Sequence, residues 1–167
     1  TQTKENFANT LSGTDLIVGA RTGQVQLLLY SVFRIGNATN NISWQTYQEI
    51  ANDKAVKWSV PFSLGDSHRG FRVLGTTPDY FTHYRFGQKQ NLSFRQGQSF
   101  AVPIEAVIGS EVAKKLNYQL GQEIVIAHGS SDVSFTKHDN LPFKVVGILE
   151  PTGTPVDRTV HVSLAGI

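Results

Sequence analysis

The chain has 167 residues, of which 40% are hydrophobic and 17% are charged, and its formal net charge is +2. This length allows one domain or two small subdomains, and folding at this size buries about 70% of the surface of the unfolded chain. Lys and Arg are scattered, which argues against a nucleic-acid partner, and the absence of Cys excludes disulfides, thiolate nucleophiles and cysteine zinc sites.

The first half of the chain alternates helical and strand patterns. Apolar residues recur every three or four positions in segments that predict helices over 1–12, 25–33 and 43–51. The β-branched and aromatic residues of 25–33 leave a strand as the alternative there. Compact or alternating apolar residues predict strands over 15–20, 55–60 and 71–76. The polar segment 64–69 has the composition of a turn.

The second half is richer in strands. Residues 82–98 show no clear period. Strands are predicted over 105–109, 123–127, 143–149 and 159–164. Ser110 is predicted to cap a helix. Residues 129–141 are predicted to form a polar loop. The interleaved elements predict a mixed α/β, or α+β, fold.

The sequence also bears on the context of the chain. It contains no Met and begins at Thr1, so we expect a processed product or a piece of a longer protein. The most apolar stretch, Val25 to Phe33, is far shorter than the roughly 20 residues of a membrane-spanning helix. We therefore expect any membrane attachment to lie outside these residues.

No catalytic or nucleotide-binding motif stands out. The sequence lacks both the P-loop pattern and G-x-G-x-x-G, and we predict no cofactor. Ser130, His128 and Asp132 are too close in sequence for a usual catalytic triad. The sequence therefore predicts a protein that is not an enzyme, with a hydrolase as a minor alternative.

Histidines supply the weak candidates for a metal site. His128, His138 and Asp139 flank one polar loop and have suitable ligand chemistry, but their spacing matches no metal signature. A solvated loop is the simpler interpretation. His161 alternates with Val160 and Val162, which predicts that it faces solvent or a cleft.

An aromatic and polar segment is the candidate partner or substrate surface. Its residues are Tyr80, Phe81, His83, Tyr84, Arg85 and Phe86. Mixtures of aromatic residues and Arg are typical of partner contacts. The alternative is that Tyr80 and Phe81 fill the junction between two subdomains.

Segments along almost the whole chain resemble the extracytoplasmic, MacB-like periplasmic core domain of the MacB/FtsX-type ABC transporter permeases. They are DLIVGARTG at 15–23, ISWQTYQEIAN at 42–52, FRVLGTTPDYF at 71–81, GQSF at 97–100, AVIGSEVAKKLNYQLGQEIVI at 106–126 and FKVVGIL at 143–149. The chain departs from the family pattern in a longer segment at 24–41 and in the His-containing loop at 128–139.

The resemblance implies a bipartite domain. Residues 1–75 and 140–167 would form a porter-like subdomain, and 76–139 an inserted β-rich subdomain. Strands 15–20 and 143–149 would then share a sheet.

The resemblance also implies a mechanical function. The chain would lie at the periplasmic face of the bacterial inner membrane, as a soluble fragment of a membrane protein, and would couple ATP hydrolysis by a separate subunit to substrate handling. The implied partners are that ABC ATPase subunit, a second permease copy or paralogue, and a periplasmic adaptor or substrate-delivery protein. A periplasmic ligand- or metal-binding module is the alternative.

Overall fold

A mixed β-sheet forms the centre of this computed structural model, which describes residues 10, 12–20, 24–34, 41–129 and 141–167. The strands of the described chain are β1 Ser63–His68, β2 Phe71–Thr76, β3 Arg85–Phe86, β4 Gln90–Asn91, β5 Phe94–Gly97, β6 Glu105–Ile108, β7 Glu123–Ile124, β8 Phe143–Leu149 and β9 Thr159–Ser163. Its α-helices are α1 Gln24–Ser31, α2 Trp44–Ala51, α3 Asp79–His83 and α4 Ser110–Leu116. Short 3-10 turns span Pro155–Arg158 and Leu164–Gly166.

The central sheet has seven strands in the order β1-β2-β9-β6-β8-β5, with β7 also paired to β8. The pairs β2–β9 and β6–β8 are parallel, and the others are antiparallel. β3 and β4 form a separate antiparallel ribbon. The last strand of the described chain therefore lies between two strands that precede it by a long stretch of sequence.

The two faces of the sheet carry two different apolar clusters. Val73, Ile108 and Val160 belong to a cluster that includes Val112 of α4. Their strand neighbours, such as Leu74 and Val107, belong to a second cluster that includes aromatic residues of α3. Successive side chains of a strand point to opposite faces, so this alternation places one helix against each face.

The predicted mixed α/β class is confirmed, and so are most elements with a strong local pattern. β2, β6, β8 and β9 lie within one residue of their predicted bounds, and the helices predicted over 25–33 and 43–51 are present. Ser43 caps α2 as predicted, because its hydroxyl accepts a hydrogen bond from Thr46 N at 3.0 Å. Ser110 is instead the first residue of α4, and Gly109 precedes it as the cap.

Two predicted strands are wrong. Residues 15–20 and 55–60 have no strand pairing in the structure, so 15–20 does not share a sheet with β8. Leu16 is 74% exposed and Val18 is 46% exposed. An apolar run becomes a strand only where it pairs with a neighbouring strand, and 15–20 makes no such pairing in the described sheet.

The segment predicted as a polar turn contains edge strand β1 instead. β1 pairs with β2 through a hairpin whose two turn residues, Arg69 and Gly70, both have positive φ. Such a turn matches the twist of the flanking strands, although Arg is not the usual residue for it. Polar side chains suit an edge strand, and the outer side of β1 carries an isolated bridge in which Ser67 and Ala127 exchange backbone hydrogen bonds. The strand predicted over 123–127 is also shorter and is reduced to β7.

The predicted division into subdomains stays a prediction. Strands from both proposed parts share the central sheet, since β6 lies between β8 and β9, and the sheet marks no boundary at 75/76 or 139/140. The helix predicted over 1–12 lies almost wholly outside the described residues. None of the helices in the described ranges has the length and apolar character needed to cross a membrane.

Gly109 joins β6 to α4 at a point of close backbone contact. Its N–H donates to Thr159 O at 2.9 Å, which fixes the start of β9. A Cβ at this position would lie 2.3 Å from Val156 O and 2.4 Å from Asp157 O. The missing side chain therefore allows residues 155–158 to pack against the beginning of α4.

Replacement Gly109→Ala is expected to lower the free energy of unfolding by about 1–3 kcal/mol, because backbone atoms have to move to admit the methyl group. Urea denaturation measures this change. Lys114→Ala, on the exposed side of the same helix, is the control and is expected to change stability by about 0.5 kcal/mol or less. Equal effects of the two replacements would show that the contact is not tight.

Candidate functional site

The predicted surface segment 80–86 is divided between core and surface. Tyr80, Phe81 and Tyr84 are 0%, 9% and 5% exposed, so the expectation that they form a surface is wrong for these three. They lie at i, i+1 and i+4 on and just after α3, one helical face, and pack against Leu74 and Val107. The helical spacing was not recognised in the sequence, because the polar residues Thr82 and His83 lie between Phe81 and Tyr84.

The other predicted residues of the segment stay accessible in part. The ring of His83 stacks on Trp58 with centroids 4.7 Å apart and planes 6° apart. Arg85 donates to Thr82 O at 2.6 Å and to Tyr84 O at 3.0 Å. Phe86 is half-buried in the β3–β4 ribbon. A partner role for His83, Arg85 and Phe86 stays a prediction.

The candidate metal ligands are not brought together in the described residues. His128 Nδ1 lies 3.2 Å from Asp66 Oδ2. His138 and Asp139 lie outside the described residues. Across 41–129 and the other described ranges, no three His, Cys, Asp or Glu side chains are close enough to hold a metal ion. A metal site at this loop stays a prediction.

His161 is fully buried, so the expectation that it faces solvent or a cleft is wrong. β9 is covered on both faces, and the ring lies 5.1 Å from the Tyr80 ring between centroids. Nδ1–H donates to Val107 O at 3.0 Å, whereas Nε2 has no partner among the described residues. Burial lowers the pKa of His161 to about 3, and the side chain is therefore neutral near pH 7.

Arg34 is a buried cation near these aromatic residues. It follows α1 with a φ of +60°, a left-handed conformation that costs a residue other than Gly about 1–2 kcal/mol. The side chain donates from Nη1 to Ser31 O, and its guanidinium carbon lies 5.2 Å above the centre of the Phe62 ring. Nε and Nη2 have no hydrogen-bond partner in the described part of the chain.

The hydroxyls of Tyr80 and Tyr84 lie in the electric field of Arg34. Burial raises the pKa of Tyr84 to about 12 and that of Tyr80 still further, and the positive charge of Arg34 opposes both shifts. Tyr84 donates its hydroxyl proton to Thr10 O. The Tyr80 hydroxyl lies beside the Arg34 guanidinium, although the two do not form a hydrogen bond of good geometry. Both phenols are therefore protonated near pH 7.

A surface cleft of about 490 Å³ opens beside Arg34. Its charged lining residues are Arg34, Arg72, Glu111, Asp157 and Arg158. Apolar walls come from Phe33, Phe71 and Pro155. We call this site the arginine cleft.

The rim of the arginine cleft is a loop held by its own carboxylate. Asp157 accepts hydrogen bonds from Thr152 N at 2.7 Å, Thr152 Oγ1 at 2.8 Å and Gly153 N at 2.8 Å. The carboxylate is 6% exposed. The three hydrogen bonds stabilise the buried carboxylate and tie it to its own loop.

Sequence reasoning did not single out Arg34, Arg72 or Arg158. Arg34 closes an apolar helical segment and Arg158 lies in a Pro- and Gly-containing loop, but neither pattern predicts burial or convergence. A charged residue directly after an apolar helical segment was the one feature of the sequence that could have drawn attention to Arg34.

Comparison with known proteins places the chain in a family. The model of the MacB-like periplasmic core domain matches residues 2–167. No curated protein matches the sequence significantly. Among solved structures, a domain of a presumed permease protein from Porphyromonas gingivalis is similar, with 13% identity and a TM-score of 0.44 over 68% of this chain. The match spans 48% of that chain, or about half its length.

The two buried tyrosines are expected to respond differently to loss of the hydroxyl. Tyr84→Phe removes a buried hydrogen bond and is expected to lower the free energy of unfolding by about 1 kcal/mol. Tyr80→Phe removes a buried hydroxyl that lies beside Arg34 but makes no hydrogen bond of good geometry, so it is expected to cost less than Tyr84→Phe. Chemical denaturation of the two variants side by side tests this, and an equal loss in both would contradict it.

The stability of the chain is expected to fall in acid partly because of His161. The unfolded state takes up a proton near pH 6.5, whereas the folded state does so only near pH 3. Between these values stability falls with decreasing pH by about 1.4 kcal/mol per pH unit from this group. His161→Asn keeps a donor for Val107 O without titrating, so it should lose about 2 kcal/mol less than the native chain between pH 7 and pH 5. Urea denaturation at both pH values measures the difference, and parallel losses would contradict it.

Proposed function

Since the chain belongs to the MacB-like periplasmic core domain family, a periplasmic domain of ABC transporter permeases, we propose that it couples ATP hydrolysis in the cytoplasm to movement outside the membrane. The given sequence contains no P-loop, and in this proposal an ABC ATPase subunit outside it hydrolyses the ATP. The family match over 2–167 is the observation that carries this proposal.

The architecture of the sheet supports a mechanical role. β9 is hydrogen-bonded to β2 on one side and to β6 on the other, and β6 is bonded in turn to β8. Side chains of these strands fill both apolar clusters. Close-packed interiors transmit displacement instead of absorbing it. A displacement applied near β9 would therefore move the sheet as one body, which suits a coupling domain.

The partners in this proposal are those of a permease assembly. The ATPase subunit acts through membrane segments outside this sequence, and a second permease copy or paralogue completes the transporter. A periplasmic adaptor or substrate-delivery protein contacts the domain. The assembly lies at the periplasmic face of the inner membrane.

The accessible part of segment 80–86 is the proposed contact surface. His83 stacks flat on Trp58, so the two rings form one ordered aromatic platform. Arg85 lies next to it, held by the carbonyls of Thr82 and Tyr84. Ordered aromatic and Arg side chains lose little entropy when a partner binds, which makes them effective contact residues.

The test uses the full-length permease with its ATPase subunit in proteoliposomes. The double replacement His83→Ala and Arg85→Ala is expected to reduce transport by about tenfold, the effect of losing about 1.4 kcal/mol of partner binding. ATP hydrolysis should continue, because the replaced residues take no part in it. Both rates are measured on the same preparation.

The matched control replaces Lys114 and Gln119, two exposed residues by α4 on the other side of the sheet. This pair should leave transport and ATP hydrolysis unchanged, and denaturation of each isolated domain shows whether it is folded. Full transport by the His83 and Arg85 variant at normal protein levels would reject the surface. Transport and hydrolysis that fall in equal proportion would reject the coupling role.

A further inference from the structure

One end of the central sheet carries exposed aliphatic residues. β6 and β8 begin at this end and β9 finishes there, because β6 is parallel to β8 and antiparallel to β9. The exposed residues, which we call the apolar end, are Ala101, Val102, Pro103, Ile104, Leu141, Pro142 and Ala165. Val102 and Ile104 are 47% and 48% exposed, and Leu141 is 69% exposed. Ile104, Leu141 and Ala165 line one surface groove, so the three segments adjoin one another.

A carboxylate fixes the loop 101–104, which forms the largest part of the apolar end. Glu105 Oε2 accepts hydrogen bonds from Ala101 N at 2.7 Å and from Val102 N at 3.3 Å. Glu105 N donates in turn to Val102 O at 3.2 Å. The aliphatic side chains are therefore presented by an ordered loop, and ordering it costs no further entropy when it meets an apolar surface.

The second half of the loop is held by neighbouring segments. Lys144 N donates to Ile104 O at 2.8 Å. Pro103 has no N–H, and its carbonyl packs against Gly166, where a Cβ would lie 2.2 Å from Pro103 O. Several backbone polar groups of the loop are thus satisfied inside the chain, which lowers the cost of moving the loop from water into an apolar medium.

The composition of the apolar end favours a lipid contact over a protein contact. Its side chains are all aliphatic, and none of them can donate or accept a hydrogen bond. Protein interfaces draw most of their binding energy from Trp, Tyr and Arg, and Leu and Val are under-represented among such contacts. Acyl chains require no directional partner, so aliphatic area alone is sufficient for binding.

The two ends of the sheet differ in polarity. The opposite end, where β2 and β9 begin, carries Arg69 and Arg158. Beside the apolar end, Glu105, Lys144 and Glu123 are cross-strand neighbours on the strands themselves. Two carboxylates and one ammonium group give these three residues no excess of positive charge, so they do not favour anionic lipid over neutral lipid.

We propose that the apolar end lies in the surface of the lipid bilayer, with the loop 101–104 inserted among the acyl chains. The contact rests on the proposed function, because a permease places a membrane beside the domain. Gly166 packs against Pro103, so a membrane segment that continued from Ile167 would start at the apolar end. The contact sets the orientation of the sheet relative to the membrane.

A fluorescent label on the loop tests the contact directly. The given sequence has no Cys, so Val102→Cys adds a single labelling site to the domain. The full-length permease, freed of any other Cys, is labelled with an environment-sensitive dye and reconstituted in phosphatidylcholine nanodiscs. The dye is expected to lose about half of its fluorescence when the acyl chains carry a quencher. Arg69→Cys, an exposed site at the opposite end of the sheet, is the matched control and should not be quenched.

The same measurement distinguishes lipid from the other possible occupants. A dye at residue 102 that reports an apolar environment without quenching by the lipids assigns the apolar end to a protein contact and overturns the proposal. A dye that reports water at residue 102 overturns it as well. Quenching is expected to be equal in phosphatidylcholine and phosphatidylglycerol nanodiscs, and quenching that requires phosphatidylglycerol would attribute the contact to charge instead of the aliphatic loop.

A loop variant tests whether the aliphatic side chains make the contact. With the dye at Ile104→Cys, the added replacement Val102→Asp is expected to reduce quenching about twofold, because a carboxylate is excluded from the acyl chains. Val102 is exposed, so Val102→Asp should unfold at the same urea concentration as the native domain, and Val102→Ser replaces it if it does not. Unchanged quenching in a folded variant overturns the proposal. Quenching is read without ATP, so failure of the coupling role would leave it unchanged, whereas failure of the lipid contact leaves the test of His83 and Arg85 intact.

Discussion

β9 has to pair with strands on both sides while both of its faces are buried, and the arrangement of the described chain depends on this constraint. Its neighbours run in opposite senses, β2 parallel and β6 antiparallel. Alternate residues supply opposite apolar clusters, so β9 tolerates little change on either face. The same constraint applies to Gly109, because the segment that leads into β9 passes close to the backbone of Gly109.

The polar groups in the core also follow from the position of β9. His161 comes to face Tyr80 and Phe81 because its register in β9 directs it to the face that α3 covers. A hydrogen bond to Val107 O supports one ring nitrogen, and the other lies among aromatic rings. His161, Arg34 and Tyr80 thus place three polar side chains on the side of the core that α3 covers.

Sequence patterns were sufficient where a segment carries its own periodicity. β8, β9 and α2 have such patterns and form as predicted. The apolar run 15–20 has the composition of a strand, but strand formation depends on a free neighbouring edge, which the segment itself does not encode. β1 was missed for the opposite reason, since its polar residues are suited to an edge that only the sheet order reveals. His161 shows the same limit, because alternation indicates that two faces differ but not that both are covered.

The candidate site was less predictable than the fold. The resemblance to the MacB-like periplasmic core domain predicted the family of the chain, and the match of the family model over 2–167 confirms this prediction. The arginine cleft, however, is assembled from the residues after α1, β2, α4 and the segment before β9, which no sequence window contains together. Burial of Arg34 depends on Phe62 and on a left-handed backbone, and both are tertiary features.

The order of strands also has a consequence for how the chain reaches its native state. Arg72 in β2 pairs with Thr159 in β9, so the middle of the sheet stays open until β9 has been synthesised. Pairings between such distant segments form slowly, because a long loop has to close before any bond rewards it. Until then β2 and β6 each have an unpaired edge, and such edges are prone to pair with other chains.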